Sequence, residues 1–307
     1  MKSVAILLST YNGERFLREQ LDSILAQKEV EVKLFVRDDG SSDGTKEILS
    51  EYAEKHSNIH LDFAENVGVG NSFMNLLYSV PDEFDYYAFA DQDDIWEENK
   101  IAEAARLLEE KGAILYASNQ ECVDKEGNSL GLRYKPDENI HLTPESILQE
   151  NMLAGCTMVI TNGFYKILTE EARRPLPELL HNRIHDVWLA ATASLYEGIV
   201  YDERSFIKYR QHENNVVGAS KAGFGKRLKA KLKKLTHREK RNGRSWLARE
   251  LCACFPEVVE KYPLITFSAK ANKYKYKRKL IKNKKLLCSY SGESGFGFYL
   301  KVLFGLY

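Results

Sequence analysis

The sequence predicts an α/β protein, with a mostly parallel central sheet flanked by helices and a basic, helical C-terminal extension. Two observations point to the sheet. Short apolar runs alternate with segments of helical spacing through roughly the first 120 residues, the pattern of strands linked by crossover helices. Each early run stops in a polar segment rich in Asp, Gly and Ser, the chemistry of a strand handing over to a helix. A third observation marks the extension: from Gly218 onward lysine-rich sequence of helical character replaces the alternation, which places the main boundary near residue 220.

Taken in order, residues 4–8 form a continuous apolar run that ends in Ser9-Thr10-Tyr11-Asn12-Gly13, and Phe16, Leu17, Leu21, Ile24 and Leu25 then fall at helical spacing. Residues 32–36 repeat the strand signal and stop at the turn-rich 37–45, before a helix through Ile48, Leu49 and Tyr52. Further strands are expected at 59–63, 86–90 and 113–118, with helices around 72–78 and 99–110. Past residue 120 the pattern weakens, although 157–160 and 198–201 read as strands and 187–195 as a helix, so some antiparallel pairing is expected. Ligands in such sheets bind beyond the carboxyl ends of the strands, where these polar loops fall.

The 307 residues are enough for one large domain with an appendage. Hydrophobic content of 44% and charged content of 29% are ordinary for a globular protein, and no run of about 18 apolar residues suggests a membrane span. The opening apolar stretch is too short for a signal-peptide core, and five irregularly spaced cysteines fit a reducing compartment, so the cytoplasm is the expected location. The net charge of zero hides a division: residues 1–220 hold 21 Lys+Arg against 39 Asp+Glu, and residues 221–307 hold 23 against 5. Such a basic segment faces an anionic partner: a membrane surface, nucleic acid, or the acidic part of the protein itself.

Residues 86–90 deliver Asp91, Asp93 and Asp94 onto one loop. Three carboxylates within four residues repel one another unless a cation sits among them, and a hard ion such as Mg²⁺ or Mn²⁺ takes one or two carboxylates together with substrate phosphates. The competing interpretation is a solvated acidic turn that caps a helix beginning near Trp96.

The ordered set Leu8-Ser9-Thr10-Tyr11-Asn12, Val36-Arg37-Asp38-Asp39-Gly40-Ser41-Ser42-Asp43-Gly44-Thr45, Asn66-Val67-Gly68 and Phe89-Ala90-Asp91-Gln92-Asp93-Asp94-Ile95-Trp96 resembles the family 2 glycosyltransferases of the nucleotide-sugar-binding fold called GT-A. Later pieces, Asn151-Met152-Leu153-Ala154-Gly155-Cys156-Thr157-Met158, His185-Asp186-Val187-Trp188-Leu189-Ala190 and Tyr209-Arg210-Gln211-His212-Glu213-Asn214-Asn215, resemble the bacterial branch that includes rhamnosyltransferases of surface-polysaccharide assembly. The resemblance spans about residues 3–217 and leaves the basic extension outside.

The resemblance implies a catalytic domain over 1–220 that binds a UDP- or dTDP-sugar. It places Thr10, Tyr11 and Asn12 around the nucleoside, with Glu14 and Gly68 nearby and Asp39 accepting the imide hydrogen of uracil or thymine. Asp91 approaches ribose or metal, Asp93 ligates Mg²⁺ or Mn²⁺, and Asp94 is structural. Asp186 is implied as the base that takes the proton of the acceptor hydroxyl in an inverting displacement; N-capping of the following helix is compatible with that role. His212 is a candidate diphosphate contact or metal ligand, and Arg210 a candidate phosphate contact. Trp96, Gly155, Cys156, His185 and Trp188 border the expected sugar and acceptor pocket, with Trp188 alternatively in the core.

There are departures. Many relatives carry an Arg shortly after Asn66-Val67-Gly68, where this chain reads Val69-Gly70-Asn71-Ser72, and no Gln-x-x-Arg-Trp processive signature follows Asp186, so one sugar is expected per acceptor encounter. The extension holds eleven Lys/Arg and one acid between residues 221 and 244, with Phe224, Leu228, Leu232 and Leu235 at near-helical spacing. A second basic cluster at 273–279 precedes an aromatic end at 296–304. Contact with an anionic membrane surface, suited to a lipid-linked saccharide acceptor, stands beside packing on protein or a second subunit; no nucleic-acid motif accompanies these residues. The alternatives are a non-catalytic sugar-nucleotide-binding scaffold and a sugar nucleotidyltransferase, the latter lacking its glycine-rich, lysine-bearing phosphate loop.

Overall fold

Five consecutive apolar side chains, Val4 to Leu8, have no solvent exposure, and burial of the four larger ones, Val4, Ile6, Leu7 and Leu8, is worth about 1.5–3 kcal/mol each against an exposed state. They anchor the first strand of a computed structural model that describes residues 1–136, 138–182, 184–212 and 242–307. Packing divides the chain into two compact units. The first is Met1–Ile140, Leu153–Glu171 and Gly198–Val216; the second is His141–Met152, Ala172–Glu197 and Val217–Tyr307. The expected boundary near residue 220 lies outside the described residues, as does most of the basic amphipathic stretch at 221–244. The units are interleaved because two earlier segments group with the C-terminal helices.

In chain order the first unit contains β1 (Lys2–Thr10), α1 (Leu17–Leu25), β2 (Val30–Asp38), α2 (Thr45–Lys55), β3 (Ile59–Phe63), α3 (Val69–Ser79), β4 (Tyr86–Ala90), β5 (Ile95–Trp96), α4 (Lys100–Lys111), β6 (Leu115–Val123) and β7 (Ser129–Leu132). The second unit begins with α5 (Pro144–Gln149). The first resumes with β8 (Val159–Thr161) and α6 (Asn162–Thr169), and the second with α7 (Pro177–Asn182) and α8 (His185–Leu195), before β9 (Ile199–Arg210) completes the sheet. Strand order is β3-β2-β1-β4-β8-β6-β9-β5, with β7 on β6. Pairs β1/β2, β1/β4, β2/β3 and β6/β9 are parallel, and β8 inserts antiparallel between β4 and β6.

Most expected elements appear within a residue or two, and the exceptions have local causes. Ile95 and Trp96 are a short strand on β9, not the start of a helix; α4 begins at Lys100. Residues 155–157 form a 3₁₀ turn, so the strand expected from 157 starts at Val159. Strand β9 runs nine residues past Gly198-Tyr201 because its polar Asp202-Glu203-Arg204 segment is absorbed where the β6/β9 register shifts, with Asp202 accepting from the Arg204 backbone and guanidinium.

The second unit is helical. Beyond α8 it contains α9 (Gly243–Cys254), α10 (Pro256–Val259), α11 (Pro263–Ala269), α12 (Tyr274–Lys282), α13 (Lys284–Ser289) and α14 (Gly295–Leu303). All eleven residues of α8 are buried, so this helix needs cover on every side. Tyr307 closes a small C-terminal core with Leu280, Leu287, Phe298 and Val302, and its hydroxyl accepts from Gln149 of α5. No helix among the described residues is long and apolar enough to cross a membrane.

Candidate active site

Parallel register brings the carboxyl ends of β1, β2 and β4 to one edge: Thr10 pairs with Asp38, and Leu8 with both Val36 and Ala90. The three polar loops therefore converge. Asp38 is fully buried and accepts from the hydroxyls of Thr10 and Ser41, so the Thr10 side chain faces inward and its place near a nucleoside is limited to backbone. Tyr11 is half exposed. Asn12 takes the left-handed conformation, φ 49°, which Asn tolerates, and its Oδ1 accepts the Ser42 N–H. Glu14 accepts the Gly44 N–H at 2.7 Å, placing its charge at the amino end of α2.

Asp39, 2% exposed, accepts the N–H groups of Val67 (3.0 Å) and Gly68 (3.0 Å). Gly68 has φ 83°, which suits glycine. Asp39 thus ties the loop after β3 to the loop after β2.

A second tie is Gln92. Its Oε1 accepts the Tyr11 N–H at 2.8 Å and its Nε2 donates to the Tyr11 carbonyl at 3.0 Å. Gly13 leaves room for this amide: a Cβ there would fall 2.2 Å from Gln92 Oε1.

The end of β9 meets the acidic loop. The Arg210 N–H donates to Asp94 Oδ1, and His212 Nε2 sits 2.6 Å from Asp93 Oδ2 with its ring stacked on Phe16. Arg210 is 2% exposed; its guanidinium donates to Glu19, to the Asp93 carbonyl and to the Lys125 carbonyl. This corrects the expectation of a phosphate contact, because the planar fork is spent on holding the acidic loop in place.

Behind the loop lies a buried polar layer. Burial, then the charges of Asp93 and Asp91, push the Asp94 carboxyl well above the ordinary range, and burial likewise raises the Cys156 thiol. Lys100 is fully buried with Nζ 3.7 Å from the Trp96 ring centroid, a cation–π contact; burial lowers its ammonium to about 7 against the weaker upward pull of Cys156 and Asp94. Trp96, 3% exposed, is therefore a platform for Lys100 and does not line a sugar pocket. Cys156, 2% exposed, accepts from Gln120 inside the unit, and Gly155 is buried beside it. Both corrections follow from the 3₁₀ turn, which directs this segment inward.

The remaining candidates sit on α8 of the second unit. Asp186 is not the N-cap: that position is Ile184, and Asp186 lies in the first turn accepting the Val187 N–H at 2.6 Å. His185 is buried, which holds its imidazole down to about 3 and hence neutral. Trp188, 1% exposed, packs 6.0 Å from Phe255, so it is core. Two clefts of about 450 and 430 Å³ open at the opposite, amino ends of β4 and β2, away from the converging loops.

A family model described as Glycosyl transferase family 2 matches residues 5–168. The chain belongs to that family. A dTDP-rhamnosyl transferase of Shigella flexneri, RfbG, is 32% identical over 244 residues, 74% of this chain and 78% of the relative. The putative teichuronic acid biosynthesis glycosyltransferase TuaG of Bacillus subtilis is 26% identical over 162 residues, 51% of this chain and 61% of that protein. The solved structure of S. aureus TarS 1-349 in complex with UDP-GlcNAc matches with a TM-score of 0.57 at 18% identity, covering 98% of this chain and 90% of that one. Mannosyltransferase PcManGT from Pyrobaculum calidifontis, in complex with GDP-Man and Mn²⁺, gives 0.51 at 15% identity, covering 98% and 86%. These structural likenesses establish the GT-A fold, and the family makes the protein a nucleotide-sugar glycosyltransferase.

Family 2 glycosyltransferases of this fold commonly use a divalent metal, and the residues at the β4 loop fit one. Asp91 and Asp93 are partly exposed carboxylates and His212 adds an imidazole, a donor set for Mg²⁺ or Mn²⁺ with phosphates completing the shell. A second group, Asp91, Asp94 and Cys156, has ligand atoms within 4.8 Å of one another. Two of its members are buried, where desolvation raises the Asp94 carboxyl and the Cys156 thiol above their ordinary values, and a thiol is a soft ligand, so this trio suits internal hydrogen bonding and not a hard ion. Sequence inspection missed Gln92 as a clamp, Lys100 and Glu19. The first lies inside the acidic motif, whereas nothing in the pattern distinguishes the other two from surface charges.

Proposed function

We propose that this glycosyltransferase moves a sugar from a UDP- or dTDP-sugar to a hydroxyl of a saccharide acceptor, lipid-linked, with inversion, in bacterial cell-surface polysaccharide synthesis in the cytoplasm. The observation that carries the reading is the Asp93–His212 pair, 2.6 Å apart, at the edge where the β1, β2 and β4 loops converge. The name of the Shigella flexneri relative supports a deoxythymidine donor.

In this reading Asp39 keeps acceptor capacity beyond its two backbone donors and takes the imide N–H of the pyrimidine. Asp91, Asp93 and His212 hold the divalent ion, which when bound neutralises charge on the departing diphosphate. Arg210 and Gln92 fix the loop that carries those ligands. Asp186 accepts the proton of the acceptor hydroxyl as that oxygen attacks the anomeric carbon, and neutral His185 adds no positive charge beside it.

Melting temperature measured with UDP, dTDP, GDP and CDP, each with Mn²⁺ or chelator, tests the donor site. Stabilisation by UDP or dTDP that requires Mn²⁺ is expected. Absence of a shift with all four nucleotides would overturn the roles of Asp39 and Asp93 and favour a scaffold.

A further inference from the structure

Helix α14 buries one face and leaves another uncovered. Phe298 and Val302 are fully buried, whereas Phe296 is 73% exposed, Tyr299 37%, Leu303 43% and Phe304 69%. Residues 296, 299 and 303 recur at helical spacing, so they form one continuous apolar row that Phe304 extends at the helix end. Single exposed apolar residues need no explanation, but a row of this kind does.

The surroundings are basic. Helix α12 packs beside α14, with Lys277 Nζ donating to the Leu303 carbonyl at 2.7 Å, and it exposes Lys273, Lys275, Arg278 and Lys282. Residues 270–307 contain ten Lys/Arg and one acid, Glu293. That acid is engaged by Arg244 at 3.0 Å and Lys301 at 2.5 Å, which leaves the remaining cations uncompensated within the segment.

We infer that the α12–α14 face is a docking surface for an anionic phospholipid bilayer, with the aromatic row entering the headgroup boundary and the lysines of α12 meeting lipid phosphates. An aromatic row flanked by cations is the arrangement of interfacial helices. A second copy of this chain is the poorer partner, because symmetric pairing through one face would oppose like charges. The inference gives a location to the proposed lipid-linked acceptor, but its test does not use the transferase reaction.

The full-length chain is to be floated with vesicles of phosphatidylcholine containing phosphatidylglycerol, and with phosphatidylcholine alone. Binding to the anionic vesicles only, weakening as salt is raised, is expected. The exposed-site variants Phe296→Ser/Phe304→Ser and Lys273→Glu/Arg278→Glu are expected to lower the bound fraction about tenfold without changing the melting temperature or the nucleotide-induced shift. No binding to anionic vesicles would overturn the inference. So would equal binding by both double variants, or loss of a dimer in place of loss of vesicle binding. If the nucleotide shifts are absent while vesicle binding persists, the donor reading fails and the docking surface stands.

Discussion

The two compact units handle charge in opposite ways. The segments of the first carry 34 acidic against 18 basic residues, and those of the second 10 against 26. In the first unit the acids at the functional edge are each built into a network: Asp38 with Thr10 and Ser41, Asp39 with the Val67-Gly68 backbone, Asp93 with His212, Asp94 with Arg210. Among the described residues the second exposes cations of α12 such as Lys275, Arg278 and Lys282, and keeps Asp186 and His185 within a buried helix. In the function proposed above, the polyanionic donor binds the first unit through these fixed ligands, and Asp186 of the second accepts the proton of the acceptor hydroxyl.

The sharpest way to break this contrast is to neutralise one carboxylate in each unit. Asp186→Asn is expected to reduce turnover by about 10²–10⁴-fold while the Mn²⁺-dependent nucleotide shift is kept; full activity in this variant would show the base to be elsewhere. Asp93→Asn is expected to lose both, with turnover down about 10²–10³-fold and no Mn²⁺ requirement left in the melting shift. Equal loss of nucleotide binding in the two variants would erase the division of roles.

A smaller effect is expected at the clamp. Gln92→Ala removes two hydrogen bonds to Tyr11, each worth about 1 kcal/mol, and should raise the donor KM roughly tenfold with little change in kcat. Gly13→Ala, which crowds the same amide, should behave alike. Steady-state kinetics over donor concentration check both.

Stability against pH extends the comparison, since each unit holds a buried base. His185 falls from 6.5 to about 3 on folding, so the unfolded chain takes up its proton first; that contribution is intact above about pH 6.5 and is lost as pH falls towards 3. Lys100 falls from 10.5 to about 7, so stability rises as pH climbs from about 7 to 10.5. Either slope reaches at most about 1.4 kcal/mol per pH unit. Denaturant titrations of His185→Leu and Lys100→Met should flatten the acid and alkaline windows respectively, and unchanged slopes would mean that the two bases are not charged and discharged as their burial implies.

The strands β1, β2, β3 and β4, the loops after them and the family motifs were legible in the sequence, because apolar runs and turn residues act locally and keep their order along the chain. What the motifs could not convey was orientation. Arg210 reads as a phosphate ligand by residue type, and becomes a loop brace only because β9 carries it against Asp93, Asp94 and Glu19. Trp96 reads as a sugar platform and Trp188 as either platform or core, and tertiary packing gives the first to Lys100 and the second to the helical core.

The sequence by itself thus determined the α/β class and the acidic loop, which follow from periodicity and residue chemistry at short range, and it carried the ordered motifs whose resemblance pointed to the family. Only the tertiary structure decided which polar side chains remain accessible to a donor and which are consumed as internal braces. It also decided which segments share a unit, because α5 and α8 bury their surfaces with helices more than fifty residues further along the chain. Hydrogen-bond partners and burial are properties of contacts between distant segments, and no local pattern encodes them.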